Sequence, residues 1–306
     1  MILKSRTESE ELKLLRFLDS RMKLSARDAN DYWNHEKGYE GEEKFDTWLE
    51  DSSKDWLILN DLLLESNNTL FQIDSLVICQ KKIYLFEVKN YEGDFYMDGD
   101  RWYTLPSAEI KSPFLQLKRS ESLFRRLLHD LGWNIPVESH LIFMNPHFYL
   151  YQAPLDLPAV FPNQLNRFMD KLKKEPSKLS QKHSAFAEKL LSLHLNESPY
   201  TRLPDFDYNQ LKKGIVCPFC WSTFMELHGG FLICKECGRK EKVDIGVLRS
   251  VKEFHALFPD RAITTNIIQE WCKIISTKAI RRILLQNFKL VGHSKSAHYV
   301  EFQKQK

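Results

Sequence analysis

Asp74 and Glu87 stand in two runs, IDSLVIC and IYLFEV, whose Val, Ile, Phe and Tyr content is that of buried strands, and Lys89 follows two residues after the second acid. If the runs form a hairpin turning at Gln80-Lys81, Asp74 faces Glu87 with Cβ atoms about 5 Å apart. Two facing carboxylates on a half-buried sheet repel unless a cation lies between them or one takes up a proton. Their hard oxygens suit Mg²⁺ or Mn²⁺. Lys89 shares a face with Glu87, about 7 Å along the strand. Its ammonium there can orient an attacking water, help deprotonate it, and offset charge in a phosphorane-like transition state. The set fits hydrolysis of a phosphodiester. A one-residue change in turn length would put Ser75 opposite Glu87 instead, and a plain ion pair of Asp74 with Lys82 or Lys89 is the purely structural alternative.

Chemistry of another kind is written in CPFCWSTFMELHGGFLICKEC, where Cys217-x2-Cys220 and Cys234-x2-Cys237 flank a segment of strand, Gly-Gly turn and strand form. Four thiolates so spaced can hold a tetrahedral Zn²⁺ as a zinc ribbon, and with all four positions filled the ion is structural. The remaining cysteines, Cys79 and Cys272, lie in apolar stretches and read as buried fillers. Beyond the ribbon, Thr264 or Thr265 caps a helix, Ser276-Thr277 makes a turn, and a second helix buries Ile280, Ile283, Leu284 and Phe288. Lys278, Arg281, Arg282 and Lys289 share its other face, and Lys295 lies in the terminal hairpin that follows. Two helices and a basic hairpin resemble a winged helix-turn-helix, so these five cations are candidate nucleic-acid contacts.

Charge divides the same way. Residues 211–306 hold 17 Lys and Arg against 8 Asp and Glu, and the rest of the 306-residue chain holds 27 against 33. The C-terminal third therefore suits a polyanion, with a solvated basic surface as the plain alternative. MILKSRTESEELK has no signal-like apolar core, and no later run approaches the roughly 20 apolar residues that span a bilayer. A cytoplasmic protein without a membrane partner is expected.

The elements that must position these groups follow from periodicity. Residues 8–24 carry Leu12, Leu15, Leu18 and Met22 at helical steps, and Gly38–Leu49 reads as a helix burying Phe45, Trp48 and Leu49, with Glu42 on the same side. Strand signals at 56–65, 137–146 and 158–162, and helical signals from Ser112-Pro113 to Gly132, at 164–175 and at 184–194, predict an α/β fold: a mixed sheet flanked by helices. The expected organisation is an N-terminal helical segment (1–35), the sheet domain (36–195), a linker (196–214), the ribbon (215–243) and the basic helical domain (244–306).

Gly38-Tyr39-Glu40-Gly41-Glu42, Gln72-Ile73-Asp74-Ser75, Glu87-Val88-Lys89-Asn90 with Gly93, and Gln116 resemble, in order, the motifs of the nuclease-related domain (NERD), a branch of the PD-(D/E)XK nuclease-like superfamily. The likeness covers roughly residues 36–150. Ser75 departs from it, standing where that family usually has His. The resemblance implies a restriction-endonuclease-like fold, metal binding by Asp74 and Glu87, a third acid in Glu42, Lys89 near the attacking water and Gln116 as a polar support. The function expected is a metal-dependent nuclease or DNA-processing protein whose nucleic acid is held by the ribbon and basic tail. A catalytically silent binder, or an adaptor built on the same scaffold, is the alternative.

Overall fold

The computed structural model describes residues 1–52, 56–176, 178–196 and 201–302. It divides into two units, Met1–Ser9 with Trp33–Thr201 and Glu10–Tyr32 with Arg202–Lys306. In chain order the elements are β1 (Ile2–Lys4), α1 (Glu10–Arg21), α2 (Ala26–Ser52), β2 (Leu57–Ser66), β3 (Thr69–Ile78), β4 (Ile83–Lys89), β5 (Gly93–Asp98), β6 (Arg101–Thr104), β7 (Glu109–Ile110), α3 (Pro113–Asp130), β8 (Val137–Phe143), β9 (Phe148–Tyr151), β10 (Ala159–Val160), α4 (Leu165–Leu172), α5 (Gln181–Leu193), β11 (Met225–His228), β12 (Phe231–Cys234), β13 (Lys240–Lys242), α6 (Val243–Leu257), α7 (Thr265–Cys272), α8 (Thr277–Asn287), β14 (Lys289–Val291) and β15 (His298–Val300). Residues 197–200 of the expected linker lie outside the described residues.

The first unit is built on a six-stranded sheet in the order β1-β2-β3-β4-β8-β10. β2, β3 and β4 form an antiparallel meander, while β8 pairs parallel to β4 after a crossover through α3. β4 and the second half of β3 are buried on both faces, which is why they read as continuous apolar runs. On one face pack Leu117, Phe124 and Leu128 of α3 with Phe186 and Leu190 of α5. On the other pack Phe45 and Leu49 of α2 with Leu165, Met169 and Leu172 of α4. A smaller sheet, β7-β6-β5-β9, sinks Phe95, Met97, Trp102 and Phe148 into the first of these cores. The architecture is the expected mixed α/β one.

Two N-terminal elements differ from expectation. Residues 2–4 form a strand parallel to β2 and not part of a helical segment. A three-residue strand is too short to display a period, so nothing in its sequence announces it. Helix α2 starts at Ala26 and runs through both Gly38 and Gly41, each costing about 1 kcal/mol in a helix. Gly41 has a packing reason: a Cβ there would lie 2.6 Å from the Cβ of Asn90. Asn90 Nδ2 donates to the Lys37 carbonyl of the same helix at 2.8 Å. The glycine motif and the strand-end Asn are thus two halves of one contact, which pins α2 to the end of β4.

The second unit contains a three-stranded antiparallel ribbon, β11-β12-β13, and then α6, α7, α8 and the hairpin β14-β15. Thr264 and Ser276 cap α7 and α8, their hydroxyls accepting from Ile267 N and Ala279 N. α8 buries Ile280, Ile283 and Leu284 as its period predicts. The hairpin is tied back where Tyr299 N donates to the Ile263 carbonyl at 2.8 Å. Helix α6 was not foreseen, although Val247, Val251 and Phe254 at four- and three-residue steps form its buried stripe. α1 also belongs here, burying Leu12, Leu15, Leu18 and Arg21.

Candidate functional site

β3 and β4 pair from Ser75↔Phe86 to Ile78↔Ile83, the register that a turn at Gln80-Lys81 requires. Asp74 and Glu87 occupy the next rung, and there the backbone ladder gives way. Asp74 Oδ2 instead accepts the N–H of Val88 at 2.7 Å, a carboxylate replacing a strand carbonyl. The local cause is visible in both partner strands. Ile73 and Leu76 of β3, and Leu59 and Leu62 of β2, lie three residues apart yet in the same core. Each strand therefore changes face between them, with Asp61 in the left-handed region at φ 55°.

Around this break the acids and bases converge. Lys89 Nζ donates to Glu87 Oε1 at 2.7 Å and to Gln116 Oε1, in the first turn of α3, at 3.2 Å. Glu42 reaches the cluster from α2, but its direct partner was not anticipated. Arg6 Nη1 donates to Glu42 Oε2 at 2.6 Å and its Nε to Asp46 Oδ2 at 2.9 Å. Its Nη2 donates to Asp46 Oδ1 at 3.1 Å and to the backbone carbonyl of Asp74 at 2.7 Å. The Arg6 side chain is only 4% exposed. Ser75, standing in the place of the usual histidine, donates from Oγ to Asp46 Oδ1 at 3.2 Å. Arg6 and Asp46 escaped the sequence reading because Arg6 lies just after a strand with no readable period and Asp46 looked like one more exposed helix acid. The available signal was Asp46 standing one helical turn from Glu42, on the same side.

The protonation equilibria reflect crowding. Burial pushes Glu42 up to about 8, and the Asp74 charge pushes the same way against Arg6. Burial and Asp74 push Glu87 up to about 7 against the pull of Lys89. Asp74 is likewise raised by burial, opposed by Lys89 and the Val88 N–H. Lys89 is buried, yet Glu87 and Asp74 outweigh that and hold it charged beyond the ordinary lysine range. Four acids, Glu42, Asp46, Asp74 and Glu87, thus share two cations, Arg6 and Lys89. The donors are all hard oxygens, and the carboxyls outnumber the cations that bond them, so the residues fit a divalent ion of the Mg²⁺ or Mn²⁺ kind. Their oxygens are not gathered as tightly as the cysteine set: among the described residues, that set alone brings three or more potential ligands within 4.8 Å of one another.

In that set, Cys217 and Cys237 sulfurs lie 3.7 Å apart and those of Cys220 and Cys234 3.5 Å apart. These are close to the edge of about 3.8 Å that a tetrahedron with 2.3 Å metal–sulfur bonds would have, and far from the 2.05 Å of a disulfide. The two knuckles repeat each other. Trp221 N donates to the Cys217 carbonyl and Gly238 N to the Cys234 carbonyl, while Cys217 N and Cys234 N donate to Ser222 and Arg239 carbonyls. Trp221 and Gly238 occupy equivalent left-handed positions, φ 58° and 71°. Burial opposes ionisation of Cys234, but the N–H groups of Cys237 and Glu236 bring its thiol down to about 7, poised to ligate. The four cysteines are positioned to bind a metal. His228 is an exposed residue of β11, its Nε2 3.5 Å from Oε2 of Glu226 on the same strand.

Of the expected nucleic-acid contacts, Lys278, Arg281 and Arg282 line one shallow surface on α8 with Leu285. Arg282 is already committed, donating to Asp244 at 2.8 Å. Lys289 is exposed on β14, and the Lys295 side chain lies outside the described residues. No helix among the described residues is long and apolar enough to cross a membrane.

Residues 37–144 match the family model of the nuclease-related domain, NERD, which takes in Glu42, Asp74, Glu87, Lys89 and Gln116. No curated protein and no solved structure matches the chain.

Proposed function

We propose that the first unit is a divalent-metal-dependent nuclease that hydrolyses phosphodiester bonds, DNA being the first substrate to test. The observation that carries this is the surplus of buried carboxylate beside a lysine held charged, inside the segment that matches NERD. Asp74 and Glu87 would hold Mg²⁺ or Mn²⁺, with Glu42 as the third acid. When bound, that ion supplies Lewis-acid activation of water and neutralises charge on the phosphoryl oxygens.

The chain's own residues do the rest. Lys89 spends two N–H groups on Glu87 and Gln116, which leaves a third to direct at the attacking water or a phosphate oxygen. Because its neighbours keep it protonated, Lys89 serves as donor and counter-charge and not as the base. Gln116 fixes its direction. Arg6 holds Glu42 in place and braces the Asp74-Ser75 backbone. With acids, lysine and support all present, activity is favoured over a catalytically silent scaffold. Zinc is the proposed occupant of the four-cysteine set, and the Lys278 and Arg281 face of α8 with the β14-β15 hairpin is proposed to grip nucleic acid backbone.

The test is cleavage of plasmid and single-stranded DNA, and of RNA, by the pure full chain with Mg²⁺ or Mn²⁺. Asp74→Asn and Glu87→Gln should abolish cleavage and Lys89→Met should slow it on the order of 100-fold. Unchanged cleavage in Asp74→Asn would remove the assignment. Elemental analysis should find one zinc per chain, and none in Cys217→Ser/Cys237→Ser.

A further inference from the structure

Two cavities flank the carboxylate site in the first unit, and their charges are opposite. On the α2 side a cavity of about 480 Å³ is lined by Glu40, Glu43, Asp46 and Glu50, with Lys44 and the already committed Arg6. On the α3 side a groove of about 360 Å³ lies between β3 and α3, lined by Gln72, Lys111, Leu115, Gln116 and Arg119 among others, and no acid faces it. Lys111 and Arg119 are exposed, and neither has an ion-pair partner among the described residues. Gln116 belongs to both places, lining the groove and accepting from Lys89. Lys111 is near enough to pull Glu87 toward its charged form. The groove is therefore linked, through Gln116 and Lys111, to Lys89 and Glu87, which the phosphodiester reading puts at the reacting phosphate.

We propose that this α3-side groove carries the sugar-phosphate backbone of the substrate strand to the site, with Lys111 and Arg119 on the phosphates flanking the one to be cut. The proposal rests on the nuclease reading and adds a direction to it. A polyanion is drawn along the wall with unmatched cations and repelled from the acidic α2 side. The amides of Gln72 and Gln116 can donate to phosphate or sugar oxygens, and Leu115, 51% exposed, offers an apolar surface to sugar or base.

The experiment is anisotropy of fluorescein-labelled single-stranded and duplex DNA with the zinc-loaded full chain and no other divalent ion, across a salt series. Lys111→Gln/Arg119→Gln should weaken binding on the order of ten-fold near ~0.1 M salt and flatten the log–log salt slope by about 1.4 to 1.8. Lys111→Arg/Arg119→Lys should retain affinity, and Lys44→Gln on the acidic side should change nothing. Affinity and slope equal to wild type in the double Gln variant, or an equal loss in Lys44→Gln, overturns the groove. Cleavage assayed in parallel separates the two claims. A wild type that cleaves while the double Gln variant binds normally keeps the nuclease and loses the groove, whereas groove-dependent binding without cleavage by any divalent ion does the reverse.

Discussion

Each unit buries an arginine, and the two are finished differently. In the second, Arg21 is fully buried, its Nε and Nη2 gripping both oxygens of Glu253 at 2.6 and 2.7 Å. Its other N–H groups donate to the carbonyls of Lys212 and Gly214, and the guanidinium lies 3.9 Å from the Trp271 ring centre. One base meets one acid, four of the five guanidinium N–H groups are taken, and α1 is tied to α6. In the first unit Arg6 meets two acids, while Asp74 and Glu87 behind them share only Lys89. The first pairs base and acid one to one; in the second the carboxyls outnumber the cations that bond them. Burial of charge alone does not mark a functional site, but an unbalanced buried cluster does.

Truncating one side of each node should separate them. Arg21→Met leaves Glu253 buried without a partner and should cost about 3–5 kcal/mol in urea unfolding, much of it recovered in Arg21→Met/Glu253→Leu. A cost below about 1 kcal/mol would show that the node is not closed. Arg6→Gln should cost less, about 1–3 kcal/mol, because Glu42 is partly exposed and can take up a proton near neutral pH. An Arg6→Gln loss as large as that of Arg21→Met would erase the distinction.

The smallest effect is a pH slope. Glu42 and Glu87 titrate in the fold near 8 and 7, above the ordinary carboxylate value of 4.5. Between about 4.5 and 8 the metal-free folded chain holds protons that the unfolded chain has released, so this cluster's contribution to stability falls as pH rises through that window. Thermal melts should display that decline, and Glu42→Gln/Glu87→Gln should flatten it. A slope that survives the double variant would place its origin elsewhere.

Much of this is legible in the sequence. The turn at Gln80-Lys81 set the β3-β4 register, since a two-residue turn there pairs Ile78 with Ile83 and Ser75 with Phe86. The cysteine spacing specified its cluster, and the caps at Thr264 and Ser276 set α7 and α8. Arg6 was not legible: its partners lie 36 to 68 residues away, and it lies just beyond a strand too short to have a pattern. The true extent of α2 was hidden by Gly38 and Gly41, whose local cost argues for a break, although Asn90 packs on Gly41. Helix α6 had its apolar stripe in plain view, and was missed beside the louder cysteine signal.

The central claim is that the negative surplus around Asp74 exists to hold a divalent ion. Titration calorimetry of Mn²⁺ into the zinc-loaded chain tests it directly. Wild type should bind Mn²⁺ and Asp74→Asn/Glu87→Gln should lose that binding while retaining zinc. Identical Mn²⁺ isotherms for the two proteins would contradict it.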